Sequence, residues 1–143
     1  MIPTIQFMEV NFPKLNTRFF EGKLITPKFE IIHKQRVLGE YQPCLDLTVL
    51  GNDYQIDVIR MTDVYDVTEH IALEVLCHEM IHLWTHQTED PSNPGNHLPV
   101  DHGKWFKKKA AEINAKSNFH IARTTDGTSF VKANKKKKTT NAN

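Results

Sequence analysis

One small domain that mixes helices with short strands is what this sequence predicts, and three observations carry that prediction. Its 143 residues suffice for one hydrophobic core and are too few for two comfortable ones. Hydrophobic residues make up 39% and charged residues 24%, the balance of an ordinary globular chain rather than a disordered one. Stretches with a helical period alternate with stretches of period two or of β-branched content.

Between Phe12 and Phe20, Leu15, Phe19 and Phe20 stand among polar neighbours, the pattern of a short amphipathic helix, and Gly22 suits a stop just beyond it. After Pro27, the β-branched Ile31-Ile32 pair makes Phe29 to His33 a strand. A further strand is expected from Gly39 to Gln42, with Pro43 interrupting it as at a sheet edge. Asn52-Asp53 marks a turn, and Tyr54 to Arg60 alternates apolar with polar residues as a half-buried strand does. The strongest helical pattern runs from about His70 to His86, with Thr68 or Asp66 as its cap. Ile71, Val75, Leu76, Met80, Ile81 and Leu83 make this helix so apolar that a central position is expected. Residues 88–99 are rich in breakers and read as a loop, followed by a helix from about His102 to Asn114. Phe119 to Arg123 reads as a strand, and Thr125-Asp126-Gly127 as a turn folding Phe130-Val131 back onto it. The domain is expected over residues 1–131, with 132–143 a polar, Lys-rich, disordered tail.

Composition also excludes some classes. No apolar run approaches the roughly 18–20 residues of a membrane-spanning helix. The start lacks a basic region followed by an apolar one, so no signal peptide is expected and the cytoplasm is the expected compartment. Cys44 and Cys77 are too few for a Cys-rich zinc ribbon, and free thiols are expected of them. The formal charge of +1 hides an asymmetry: residues 101–143 hold 11 of the 18 Lys and Arg against 3 of the 17 acids, a net +8. Residues 1–100 therefore carry −7. Such a split points to a polyanion at the basic end, most simply nucleic acid.

The chemistry concentrates in Leu76-Cys77-His78-Glu79-Met80-Ile81-His82, an HExxH motif within the central helix. Residues four apart on a helix differ by about 40° in direction and about 6 Å in height. His78 and His82 therefore project from one face and can reach a single ion at about 2.0–2.1 Å each. Glu79 lies where it can take a proton from water that the ion has acidified, as in peptide hydrolysis. The bland reading is a core helix with incidental histidines. Against it, three polar groups in an otherwise apolar helix would be destabilising by several kcal/mol if buried without partners. A metal compensates all three at once.

Catalytic zinc takes three protein ligands and keeps an open position. His86 continues the series but stands about 12 Å along the axis from His78, too far to share the ion. The metzincin spacing fails at Thr85 and Thr88, and Glu112 is the one glutamate on the second helix. His102, opening that helix with Gly103 beside it, is the better third ligand; His97 in the loop is the alternative.

The pairing of His78-Glu79-Met80-Ile81-His82 with Asp101-His102-Gly103-Lys104-Trp105-Phe106, and then Ala111-Glu112-Ile113-Asn114, resembles the SprT-like (Spartan-type) metalloproteases. Leu15-Asn16, Phe19-Phe20, Gly22, Leu24 and Gly39-Glu40-Tyr41 extend the resemblance over about residues 12–124. It implies a compact zincin-like α+β domain, with a small, mostly antiparallel sheet packed on the HExxH helix. It further implies one zinc ion per chain, His102 as third ligand, Glu79 as general base, and protein substrates that include proteins on or crosslinked to DNA. The chain lacks the Cys-rich ribbon of many bacterial members and the long tails of eukaryotic ones, which suits a bacterial or phage-encoded monomer.

Nucleic-acid contacts, if made, are expected from Lys104, Lys107 and Lys108, which share a helix face, and from Lys135, Lys136, Lys137 and Lys138 in the tail. The tail run suits a merely solvated end equally well. Trp84 and Trp105 read as core aromatics, and Cys77 as a small core residue. Tyr41, Tyr65, His97, His120 and Arg123 are all eligible to stabilise an oxyanion, and nothing in the sequence selects among them.

Overall fold

The computed structural model describes residues 1–46, 55–87 and 102–122. Its elements are helix α1 (Ile5–Phe19), strands β1 (Lys28–Ile32), β2 (Gly39–Asp46) and β3 (Gln55–Thr62), and helices α2 (Glu69–Gln87) and α3 (Lys104–Ala115). Together they form the expected α+β domain: one small sheet with helices packed on its inner face.

β3 is the middle strand, in the order β1-β3-β2. It pairs antiparallel with β2 and parallel with β1, so the sheet is mixed rather than mostly antiparallel. The reason lies in burial. Val58, Ile59, Met61 and Thr62 are all buried, so β3 is enclosed on both faces and takes the centre, separating the strands that precede it. The alternation in Tyr54 to Arg60 had suggested one solvated face; that face instead carries Arg60 laid across both neighbours. Arg60 donates to Glu30 of β1 and to Gln42 of β2, each at 2.7 Å. Pro43 falls at the irregularity between Gln42 and Leu45 on edge strand β2, where no ladder bond is required of it.

The inner face of the sheet carries Phe29, Ile59, Met61, Tyr41 and the bare Cα of Gly39, packed against the helices. α2 is the central helix: residues 75–83 are buried without interruption. Thr68, not Asp66, caps it, its Oγ1 accepting from the Ile71 N–H at 3.1 Å. Asp66 instead takes the Met1 ammonium.

α1 is longer than the pattern from Phe12 suggests. It begins at Ile5, seven residues before Phe12, and Thr4 caps it through a 3.0 Å bond from the Phe7 N–H. The helix runs through Pro13, which lies on its exposed side. Pro13 has no N–H to offer the Glu9 carbonyl one turn back, and both residues are exposed. At its end Gly22 turns the chain with φ +69°, and the buried Asn16 amide brackets Leu24 through two 3.1 Å bonds.

The described part of the last expected strand, Phe119 to Ala122, is not a strand. The Asn114 side chain occupies both backbone groups of Ile121, donating at 3.0 Å and accepting at 2.8 Å, so this segment is held by a side chain instead of a sheet neighbour. The turn at Thr125-Asp126-Gly127, the 88–99 loop and the Lys-rich tail lie outside the described residues. Among the described residues, no helix is long and apolar enough to cross a membrane.

Candidate metal centre

His78 and His82 project from one face of α2, one turn apart, with ring centroids 5.1 Å from each other. The third imidazole arrives from the far side of the 88–99 segment. His102 stands two residues before α3, and Gly103 forms the N-cap with extended backbone, so the histidine precedes the helix instead of opening it. Its Nε2 lies 3.1 Å from Nε2 of His78 and 3.2 Å from Nε2 of His82. One nitrogen cannot serve both contacts with a full hydrogen bond.

A shared cation resolves that arrangement. Two nitrogens each about 2.0–2.1 Å from one ion at a tetrahedral angle stand about 3.3–3.4 Å apart, within a few tenths of an ångström of both contacts. The ligand atoms of all three histidines lie within 4.8 Å of one another, and theirs is the one such group among the described residues. The three histidines can therefore hold a metal ion. His78 is 2% and His82 3% exposed, so both rings are drawn into a poorly hydrated site. Burial, and then the neighbouring His82 and His102, push His78 down to about 3, keeping its ring neutral with a lone pair free for a metal.

Glu79, 3% exposed, sits beside His78 on the same helix. Its carboxylate lies against strand β2: a Cβ placed on Gly39 would stand 3.2 Å from Glu79 Oε2. Two of the three imidazoles and the carboxylate are thus held in one buried stretch of α2.

Several supporting residues went unassigned in the sequence. Phe106, 2% exposed, forms a floor common to the three imidazoles, its centroid 4.7 Å from His78, 4.9 Å from His82 and 4.8 Å from His102. Its place four residues after His102, one helical turn on, was the available signal. Tyr41 stacks on His82 at 6.2 Å and 11°, and its hydroxyl donates to Asp57 at 2.9 Å. The backbone of Ala122 lies near the His78 ring and favours its protonated form, without the geometry of a full hydrogen bond to Nδ1. Asn114, by fixing Ile121, fixes Ala122 beside it.

Other candidates lie elsewhere. His86 is 3.9 Å from Asp57 and outside the group of three. Glu112 is exposed and paired with Lys109 and Lys116. The Tyr65 hydroxyl accepts from the Arg36 N–H at 2.9 Å, and His120 is exposed, its N–H donating to Glu74. Cys77 is a fully buried free thiol whose ionisation burial disfavours strongly, in keeping with a core role. Lys104, Lys107 and Lys108 are exposed on α3, and the ammonium groups of Lys104 and Lys108 stand 5.7 and 5.4 Å from the ring centre of the half-buried Trp105. Trp84 packs against the core, with Lys109 over its ring at 5.3 Å. His97, Arg123 and Lys135 to Lys138 fall outside the described residues, and the Cys44 side chain is likewise not described.

No curated protein and no solved structure matches the chain significantly. The sequence pattern of the SprT-like family, however, matches residues 8–125, which take in most of α1, the sheet and both histidine-bearing segments. On that match and on the three-histidine centre it encloses, the chain belongs to the SprT-like family.

Proposed function

We propose that this chain is a zinc-dependent endopeptidase of protein substrates, with His78, His82 and His102 holding one zinc ion and Glu79 as general base. The observation that carries the reading is the convergence of three imidazole nitrogens beside a buried carboxylate. Three imidazole donors suit zinc, whereas magnesium and calcium prefer oxygen donors. When bound, the ion supplies the positive charge that acidifies water and polarises the scissile carbonyl. Glu79 accepts the proton of the attacking water and returns it to the departing amine. Phe106 and Tyr41 hold the rings in place and keep bulk water from their inner faces. The test is zinc analysis joined to a casein cleavage assay. Glu79→Gln is expected to keep one zinc per chain and lose about 10²- to 10⁴-fold in activity. Full activity in that variant would contradict the mechanism.

Proteins held on nucleic acid, including ones crosslinked to DNA, are the substrate class this reading favours. Support comes from the net +8 of residues 101–143 and from the exposed Lys104, Lys107 and Lys108 on the helix that follows His102. Replacing these three lysines by alanine should weaken binding of single-stranded DNA and flatten its salt dependence. Removing residues 132–143 asks the same of Lys135 to Lys138. A nucleic-acid-binding module without peptidase activity would bind DNA equally steeply with salt, but it leaves the buried Glu79 without a task.

A further inference from the structure

We infer that Gly39 is a positioning residue for Glu79: its missing side chain leaves the space in which the carboxylate is set. The inference rests on the reading of Glu79 as general base. Gly39 opens edge strand β2, pairing with Met61 of β3, and it lies on the inner face that meets α2. Its Cα faces the turn of α2 between Val75 and Glu79. A Cβ there would stand 2.8 Å from Val75 Cγ1, 3.2 Å from the Arg60 carbonyl and 3.2 Å from Glu79 Oε2.

Gly39 has no positive φ, so conformational freedom does not explain the glycine; close approach does. Two residues on, the same face of β2 presents Tyr41, whose ring stacks on His82. One short strand therefore touches the base through a glycine and a metal-site histidine through a tyrosine. A methyl group at position 39 has three ways to fit: lift the strand, turn Val75, or displace the carboxylate. The Arg60 carbonyl belongs to the middle strand and cannot yield without breaking the sheet, so strain falls on the two side chains of α2. A general base must stay within about 2.6–3.2 Å of the proton it takes, and a misplacement of about 1 Å can lower a rate about a hundredfold.

The test uses the zinc-loaded full chain with Gly39→Ala, Val75→Ala, both together, and Glu79→Gln. Gly39→Ala is expected to lower kcat by about tenfold to a hundredfold, with KM and one zinc per chain retained. Val75→Ala should leave kcat near the parent value. The double variant, which removes the 2.8 Å overlap but keeps the contact with Glu79, should remain impaired, and it carries the test if Gly39→Ala does not fold. A second readout is the visible spectrum of the cobalt-loaded protein: Gly39→Ala and the double variant should shift it in the direction that Glu79→Gln does, and Val75→Ala should not. Parent-like kcat and spectrum in the folded double variant would overturn the inference, as would loss of the metal. If Glu79→Gln is itself fully active, the reading beneath the inference fails instead, whatever Gly39→Ala does.

Discussion

From residue 75 to residue 83 every residue of α2 is buried, whereas α3, twelve residues long, buries only Phe106, Lys109, Ala110 and Ile113. Both helices serve one centre. α2 brings His78, Glu79 and His82 into the core as part of its own packed surface; α3 has His102 just ahead of its first turn and keeps an exposed, lysine-rich face. The difference separates two ways of making a site. Polar groups placed inside a core helix are held rigidly but must find compensation there. A ligand placed at the entry of an amphipathic helix leaves that helix free to meet something else on its outer side.

The largest effect that would sharpen this contrast is expected from core truncation. Leu76→Ala, at a fully buried position of α2, should be destabilising by about 2–5 kcal/mol in urea unfolding, while Lys107→Ala on the exposed face of α3 should stay within about 0.5 kcal/mol. Equal losses would erase the contrast. Acid should expose the same difference. His78 titrates near 3 in the fold against its ordinary 6.5, so between those values the unfolded chain binds a proton that the folded ring refuses. Stability of the zinc-free protein should therefore be independent of this ring above about pH 6.5 and decline as pH falls towards 3, by an amount on the order of a few kcal/mol. Chemical denaturation of the chelated protein at several pH values reads this directly; a flat profile over that window would show that His78 is not kept neutral by the fold.

Asn114→Ala is the next effect in size. It strips both backbone bonds from Ile121, destabilising by about 1–3 kcal/mol, and frees Ala122 from its place beside His78. Zinc affinity should fall by about tenfold, measured by competition with a chelator. Unchanged affinity would mean that the 119–122 segment supports the fold alone. Thr68→Ala, which removes the cap of α2 without touching the site, should be destabilising by about 1 kcal/mol and leave zinc affinity intact.

How far the sequence could be read follows the same division. α2 was legible almost to its ends because its period, its cap at Thr68 and its HExxH spacing are all local. Two histidines on one face follow from four residues of helix. The preference for His102 over His97 rested on its place at the head of the second helix beside Gly103, and the resemblance agreed with it; the structure brings His102 to the other two, while His97 lies outside the described residues. β3 looked half-buried because alternation reports side-chain polarity, whereas burial of Arg60 between Glu30 and Gln42 depends on which strands flank it. Phe119 to Ala122 had strand-like residues but no sheet neighbour, a matter settled by the distant Asn114 side chain. Gly39 was legible as the start of a strand and as part of the resemblance, but not as a neighbour of Glu79. Its pressure against Val75 and Glu79 is a fact of two elements meeting, and no window along the chain contains both.

The central claim is that three imidazoles hold one zinc ion beside Glu79, and X-ray absorption at the zinc edge on the purified protein tests it most directly. The account predicts one zinc per chain with three nitrogen ligands of imidazole type and one oxygen ligand, all at about 2.0–2.1 Å, and loss of one imidazole in His102→Ala. A sulfur shell at about 2.3 Å, or an unchanged spectrum in His102→Ala, would contradict it.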